Sequence, residues 1–231
     1  NGIDDDGNGY IDDVHGINVA ASTGNPYDSV GHGTAVAGLI AAAANDVGAV
    51  GVAPDARIMA VRIFGAGGFS SHAADGIVYA AQMGAQILVN SWTHGRTPRN
   101  IVSDAITHAE EQFDTLFVTS AGNAPEDNDV AGIYPARYTH ASVFAVAACG
   151  RHDELIYLPG VWASAWGTER VALCAPGDQL WAPSLGEYTL FSGTSAAAPV
   201  AAGVAALVLS NHPDVSAMEL ADVLRASVDP N

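Results

Sequence analysis

The segment TLFVTSAG, residues 115–122, places β-branched and aromatic side chains next to one another without polar alternation. Such a run predicts a strand that is buried on both faces, as in a parallel sheet covered by helices. Four further segments have the same character: RIMAVRIF (57–64), AQILVNSW (85–92), SVFAVAAC (142–149) and RVALCAP (170–176). The five segments together predict a mostly parallel sheet.

Helical segments alternate with these strands. We expect helices at about 33–45, 70–83, 99–112 and 194–211, and repeated strand–helix–strand units wind right-handed. The predicted fold class is therefore α/β, a mostly parallel, doubly wound sheet with helices on both faces. Neither a linker nor a repeat interrupts residues 45–225, and 231 residues suffice for one domain.

The charge balance excludes one class of partner. The formal net charge is -17, and the eight basic residues are all arginine, which gives no electrostatic basis for nucleic-acid binding. An acidic surface of this kind is typical of secreted, calcium-loaded or salt-adapted proteins, or serves only to keep the chain soluble.

Three further features bear on the compartment. The longest apolar run, residues 196–209, is too short to span a bilayer and predicts a buried helix, so we expect no membrane partner. Because residue 1 directly precedes a polar, Asp-rich segment, we expect no signal peptide within these residues. Cys149 and Cys174 each close a strand-like run, and either one disulfide or two buried thiols would fit.

Three segments carry the candidate chemistry. SVGHGTAVAG places His32 at the start of an Ala-rich helix, TSAGNAP places Asn123 after a strand, and FSGTSAAAP places Ser195 in the first turn of a helix. Each residue alone is most often a cap or a turn residue. In open α/β sheets, however, ligands bind beyond the carboxyl ends of the strands, and these segments are predicted to lie there.

In this chain order the three segments resemble the subtilisin-like serine proteases, the subtilases, over nearly the whole chain. The resemblance implies that Ser195 is a nucleophile, His32 its general base, and the Asn123 side chain an oxyanion donor beside the Ser195 N–H. It further implies a secreted serine endopeptidase that hydrolyses polypeptides through an acyl-enzyme. A serine hydroxyl needs such a base, and its oxyanion needs donors already in place.

The resemblance also implies a substrate cleft. Ser91, Trp92 and Thr93 occupy the position of a Ser-Leu-Gly segment that walls the family's specificity pocket, with a bulkier wall at Trp92. In GAGGFSS, residues 65–71, Gly67 and Gly68 match a loop edge that pairs with substrate as a strand. A flexible glycine turn is the equal alternative for this loop.

The opening segment, residues 1–16, predicts a calcium site. Asp4, Asp6, Asn8, the Tyr10 carbonyl and Asp12 match positions 1, 3, 5, 7 and 9 of a calcium loop, and a glycine stands at its turn position. The residue at position 12 is a histidine, so the motif is not a complete EF-hand. A solvated acidic turn is the alternative.

The family's catalytic aspartate stands in an Asp-Thr-Gly or Asp-Ser-Gly segment, which this sequence lacks. We expect that segment to precede residue 1, so that residues 1–231 form a single catalytic domain that is incomplete at its amino terminus. A propeptide or upstream segment would supply the carboxylate, and Asp28 is not expected to replace it. A non-catalytic, protease-like binding module and a transamidating or macrocyclising relative remain the alternative functions.

Overall fold

The computed structural model describes residues 1–65 and 69–229. The strands are β1 (Gly16–Asn18), β2 (Ala60–Arg62), β3 (Ile87–Asn90), β4 (Leu116–Ser120), β5 (Val143–Cys149), β6 (Tyr157–Leu158), β7 (Trp162–Ala163), β8 (Val171–Pro176), β9 (Leu180–Pro183) and β10 (Tyr188–Phe191). The helices are α1 (His32–Ala41), α2 (Phe69–Gln82), α3 (Asn100–Phe113), α4 (Thr194–Asn211) and α5 (Ala217–Ala226), with a short 3₁₀ turn at Val19–Ala21.

A parallel four-stranded sheet, in the order β3–β4–β5–β8, forms the centre of the fold. Every residue of β4 and β5 is buried, as their unbroken apolar sequence predicts. Helices cover both faces: Phe117 packs in a core with residues of α2 and α3, whereas Leu116 and Val118 pack in a second core with residues of α4 and α5. The predicted α/β class is confirmed.

Strands β1 and β2 form a separate parallel pair, with Ile17 opposite Val61. Among the described residues, β2 and β3 each have one strand neighbour and are not paired with each other. Helix α2 nevertheless packs against both strands, and a Cβ at its Gly76 would lie 2.9 Å from Val61 Cγ1. All three β2 residues are only half-buried. Strands β2 and β3, both covered by α2, therefore each have one edge without a strand partner among the described residues.

Several elements differ from the sequence-based predictions. Only three residues of 57–64 form a strand, and α1 ends at Ala41 because Ala42 adopts an extended backbone (φ -58°, ψ 132°). The antiparallel hairpin β9–β10 and helix α5 were not predicted. Helix α5 begins with a capping box between Ser216 and Glu219, a signal that the sequence does contain.

The open question of the cysteines is resolved. Cys149 at the end of β5 and Cys174 in β8 form a disulfide, with Cα atoms 5.6 Å apart, because the two strands are neighbours. Helix α4 is the one helix within the described ranges with the length and hydropathy to cross a bilayer. Its alanines, Ala197, Ala198 and Ala201 among them, are buried against the central sheet as a core helix.

Candidate active site

Ser195 lies in the first turn of α4, directly after the tight backbone of Gly193 (φ 126°) and Thr194. The residue is half-buried. Its hydroxyl donates to the carbonyl oxygen of Ser91 at 3.3 Å, and the Ser91 hydroxyl donates back to the Ser195 carbonyl oxygen at 3.1 Å. The two serines are therefore joined by a reciprocal pair of hydrogen bonds across the end of β3.

Asn123 follows β4, and its side chain reaches the turn before Ser195. Its Oδ1 accepts hydrogen bonds from the Thr194 N–H at 2.8 Å and the Thr194 hydroxyl at 2.9 Å. Its Nδ2 would lie 3.2 Å from a Cβ at Gly193, and has no hydrogen-bond partner among the described residues. Asn123 is exposed, so this N–H₂ group is available to a bound molecule.

Thr194 was not recognised from the sequence as an orienting residue. It is 1% exposed, and its Oγ1 also accepts the N–H of Gly122 at 3.1 Å. Its hydroxyl thus links the end of β4 to the start of α4. The sequence does place a threonine directly before the candidate serine, but it gives no sign that this threonine bonds Gly122 and Asn123, which follow β4.

His32 is the first residue of α1, and α1 packs against α4. Its ring stands edge-on to Phe191, with centroids 5.2 Å apart. Phe191 ends β10, four residues before Ser195 in the chain. His32 and Ser195 therefore lie in the first turns of two helices that pack against each other. Burial of part of the ring lowers the pKa of His32, and the negative charge of Asp28 partly opposes that shift.

Asp28 caps the start of α1. Its carboxylate accepts hydrogen bonds from the N–H groups of Val30, Gly31 and Thr34 and from the Thr34 hydroxyl, at 2.8–2.9 Å. Burial alone would raise the pKa of Asp28, but these four bonds outweigh it and lower the pKa to about 2. Across residues 1–65 and 69–229, no carboxylate is hydrogen-bonded to His32. Asp28 therefore caps the first turn of α1.

Of the three residues predicted to form a cleft wall, Ser91 is hydrogen-bonded to Ser195. Ser91 is 9% exposed, Trp92 is half-buried, and Thr93 is exposed. The Trp92 indole is edge-on to Phe69 at 5.4 Å and lies 6.2 Å from the His94 ring, so aromatic groups hold it on two sides. Gly67 and Gly68, the predicted edge for substrate pairing, lie outside the described residues.

The predicted calcium ligands do not all converge. Both Asp4 oxygens accept backbone N–H groups from residues 7–9, while Asn8 Nδ2 donates to Asp6 Oδ2 and to Asp13 Oδ2, each at 2.9 Å. The Asp12 carboxylate instead bonds the amino terminus at 2.5 Å and the Gly2 N–H at 2.8 Å. In the part of the chain described here, no group of three or more His, Cys, Asp or Glu side chains is arranged to hold an ion.

Comparison with characterised proteins places the chain in a family. The model of the subtilase family, Peptidase_S8, matches residues 1–230. Subtilisin-like protease 2 of Plasmodium falciparum is 33% identical over 192 residues, covering 80% of this chain and 14% of its own. The halolysin-like extracellular serine protease Nep of Natrialba magadii is 36% identical over 217 residues, covering 91% of this chain and 38% of its own. The chain thus spans well under half the length of either relative.

A solved structure agrees with the sequence matches. The crystal structure of a cold-adapted subtilisin-like serine proteinase superposes with a TM-score of 0.78 at 28% identity, and the match covers 94% of this chain and 76% of that one. The matched family model, the relatives and the shared fold all point the same way. The chain belongs to the subtilase family.

Proposed function

We propose that this chain is the catalytic part of a serine endopeptidase. The proposal rests on the fixed orientation of the Asn123 amide. Its oxygen accepts two hydrogen bonds from Thr194, which leaves its N–H₂ group beside the turn that carries Ser195. That is the arrangement an oxyanion donor requires, since its dipole must be fixed before charge develops. His32, at the start of the adjacent helix, is the candidate base.

The proposed reaction proceeds in two halves. His32 takes the Ser195 hydroxyl proton as the Ser195 oxygen attacks a peptide carbonyl carbon. The resulting oxyanion accepts hydrogen bonds from Asn123 Nδ2 and from the Ser195 backbone N–H. The protonated His32 then gives its proton to the leaving amine, which forms an acyl-enzyme. Water, deprotonated by His32, then attacks the ester carbonyl, and His32 returns that proton to the Ser195 oxygen as the acyl–oxygen bond breaks and the acid leaves. Because the Ser195 hydroxyl donates to Ser91 in the free chain, it first rotates toward His32.

The proposed substrate is an extended polypeptide. The segment of residues 91–93 follows β3 directly, and Ser91 contacts Ser195. A peptide that added along this segment as a further strand would therefore pass Ser195. The side chain of Trp92, held between Phe69 and His94, narrows this wall. We assign Gly67 and Gly68 to the opposite edge of the same cleft on the sequence pattern alone.

We further propose that an upstream segment completes the site. Strands β2 and β3 each present an unpaired edge under α2, and His32 has no carboxylate partner among the described residues. A parallel strand inserted between these edges would bury the half-exposed residues of β2 and satisfy both rows of backbone groups. If that strand ends in an aspartate, its carboxylate would orient the His32 imidazole and stabilise its protonated form.

Calcium and secretion belong to the same proposal. We propose that Asp4, Asp6 and Asn8, which carry side-chain oxygens within one turn, rearrange to bind a calcium ion. Asp13, whose carboxylate accepts a hydrogen bond from the Asn8 amide, is better placed than Asp12 to join them, because Asp12 bonds the amino terminus. When bound, the ion would hold the acidic segment folded. The Cys149–Cys174 disulfide is typical of proteins outside the cytosol.

A fluorophosphonate probe tests the activity. The chain, extended by an upstream strand that ends in Asp-Thr-Gly, should be labelled at Ser195, and Ser195→Ala should abolish the label. Ser192→Ala is the matched control, because the Ser192 hydroxyl bonds Asp178 and the Gln179 N–H within the loop. Peptide binding without labelling would instead indicate a binding module. If the chain is labelled and also transfers the acyl group of a peptide substrate to an added amine in preference to water, it is a transamidase.

A further inference from the structure

We infer that Ser91 is a positioning residue for Ser195: its hydroxyl replaces the helical hydrogen bond that Pro199 cannot make. This inference rests on the proposed nucleophilic role of Ser195. It concerns the side chain of Ser91, whereas the substrate contact proposed above concerns the backbone of the same segment.

The argument begins inside α4. In an α-helix the N–H of each residue bonds the carbonyl four residues earlier. Pro199 stands four residues after Ser195 and has no N–H, so the Ser195 carbonyl lacks its normal helical donor. An unpaired carbonyl in a buried helix turn is costly, and Pro199 and its neighbours Ala196 to Ala198 are all buried.

Ser91 fills this vacancy from another element. Its hydroxyl donates to the Ser195 carbonyl at 3.1 Å, and at 9% exposure it has little access to solvent. The backbone of this strand end is itself fixed, because Asn90 is paired with Thr119 of β4 and its carbonyl accepts the Thr119 hydroxyl at 3.0 Å. A hydrogen bond from the end of β3 therefore takes the place of the missing helical bond at the Ser195 carbonyl.

The second bond of the pair strengthens the inference. The Ser195 hydroxyl rests on the Ser91 carbonyl at 3.3 Å, so one residue contacts both the backbone and the reactive oxygen of Ser195. Loss of the Ser91 hydroxyl frees the first turn of α4 to shift. A shift of the nucleophile by a fraction of an ångström reduces turnover, while distant substrate contacts remain.

The experiment exchanges one donor for the other. In the extended chain, Ser91→Ala should lower kcat roughly 10- to 100-fold with KM changed less than about threefold. Pro199→Ala restores a backbone N–H opposite the Ser195 carbonyl, so the double variant should recover kcat to within about threefold of Pro199→Ala alone. Ser142→Ala, which removes a buried hydroxyl without a hydrogen-bond partner among the described residues, should leave kcat unchanged.

Thermal unfolding decides the question independently of catalysis. With Ser195→Ala in every chain, Ser91→Ala should lower Tm, and the same change in a Pro199→Ala background should lower it much less. Equal Tm losses in both backgrounds, or a Ser91→Ala enzyme with normal kcat, would overturn the inference. If no variant is labelled by fluorophosphonate, the proposed protease function fails, and the Tm comparison still decides whether the two donors are interchangeable.

Discussion

The side-chain oxygen of Asn123 is bound by both the N–H and the hydroxyl of Thr194, at 2.8 and 2.9 Å. An amide held at its oxygen by two donors has one orientation, with its nitrogen on the opposite side. The chain thereby fixes a donor in space next to the serine that follows Thr194.

The first prediction tests that donor. Asn123→Ala should lower kcat by roughly 10²–10³ with KM little changed, because the oxyanion exists only after attack. Asn123→Asp keeps the acceptor for Thr194 and lacks the N–H₂ group, so steady-state kinetics should show a similar loss. An Asp variant with normal kcat would show that the oxygen, and not the nitrogen, is the functional end.

A second prediction concerns Thr194. Thr194→Val removes the hydroxyl that holds Asn123 and leaves the buried Gly122 N–H without its acceptor. We expect a loss of about 1–3 kcal/mol in unfolding free energy and a lower kcat. Thr194→Ser keeps both hydrogen bonds and should restore kcat. Equal kcat for the Val and Ser variants would separate Thr194 from the reaction.

Acid stability provides a third prediction, from Asp28. Its pKa in the folded chain, about 2, lies below its ordinary value of 3.8. The stabilisation is therefore fully present above about pH 4 and is lost as the pH falls through 2. We expect about 1–2 kcal/mol, the lower figure allowing for solvent screening. Urea unfolding at pH 7 should show this loss for Asp28→Asn, and the difference from wild type should shrink toward pH 2. The exposed Asp222→Asn is the control, and a constant difference across that range would contradict the cap.

The pH dependence of hydrolysis provides a fourth prediction. His32 acts as a base only when neutral, so kcat/KM should fall as the pH drops through its pKa, which burial lowers below 6.5. A carboxylate beside the ring favours protonated His32, so it raises the pKa of His32 and the pH at which kcat/KM falls. The extended chain should therefore lose activity at a higher pH than a version with Asn in place of the added Asp. If kcat/KM falls at the same pH in both versions, the added segment does not contact His32.

Calcium provides the fifth. At a concentration about 100 times Kd, an ion bound only to the folded chain adds roughly 2.7 kcal/mol. Chelation should lower Tm, and Asp6→Ala should abolish that response. Asp13→Ala should also weaken it, whereas Asp12→Ala should have less effect because Asp12 bonds the amino terminus. No difference in Tm between chelator and millimolar calcium would reduce the segment to an acidic turn.

The sequence predicted best those strands in which every residue is buried. Strands β4 and β5 are buried on both faces, so apolar character alone located them to within one or two residues. The hairpin β9–β10 is short and partly exposed, with Trp181 51% exposed, and therefore lacks that signal. The sequence singled out Asn123 as a candidate, but it could not give the direction of the Asn123 amide, because the partner Thr194 is 71 positions away in the chain.

The Cys149–Cys174 disulfide spans 25 positions, and most side chains between residues 151 and 161 are exposed. An exposed segment of this kind is a preferred site of proteolytic cleavage. A cut there leaves both fragments covalently joined, so a nicked molecule migrates as a single species on a non-reducing gel and separates into two only after reduction. For a chain proposed to cleave polypeptides, the crosslink retains β8 and the serine-bearing helix that follows it even after self-digestion has begun.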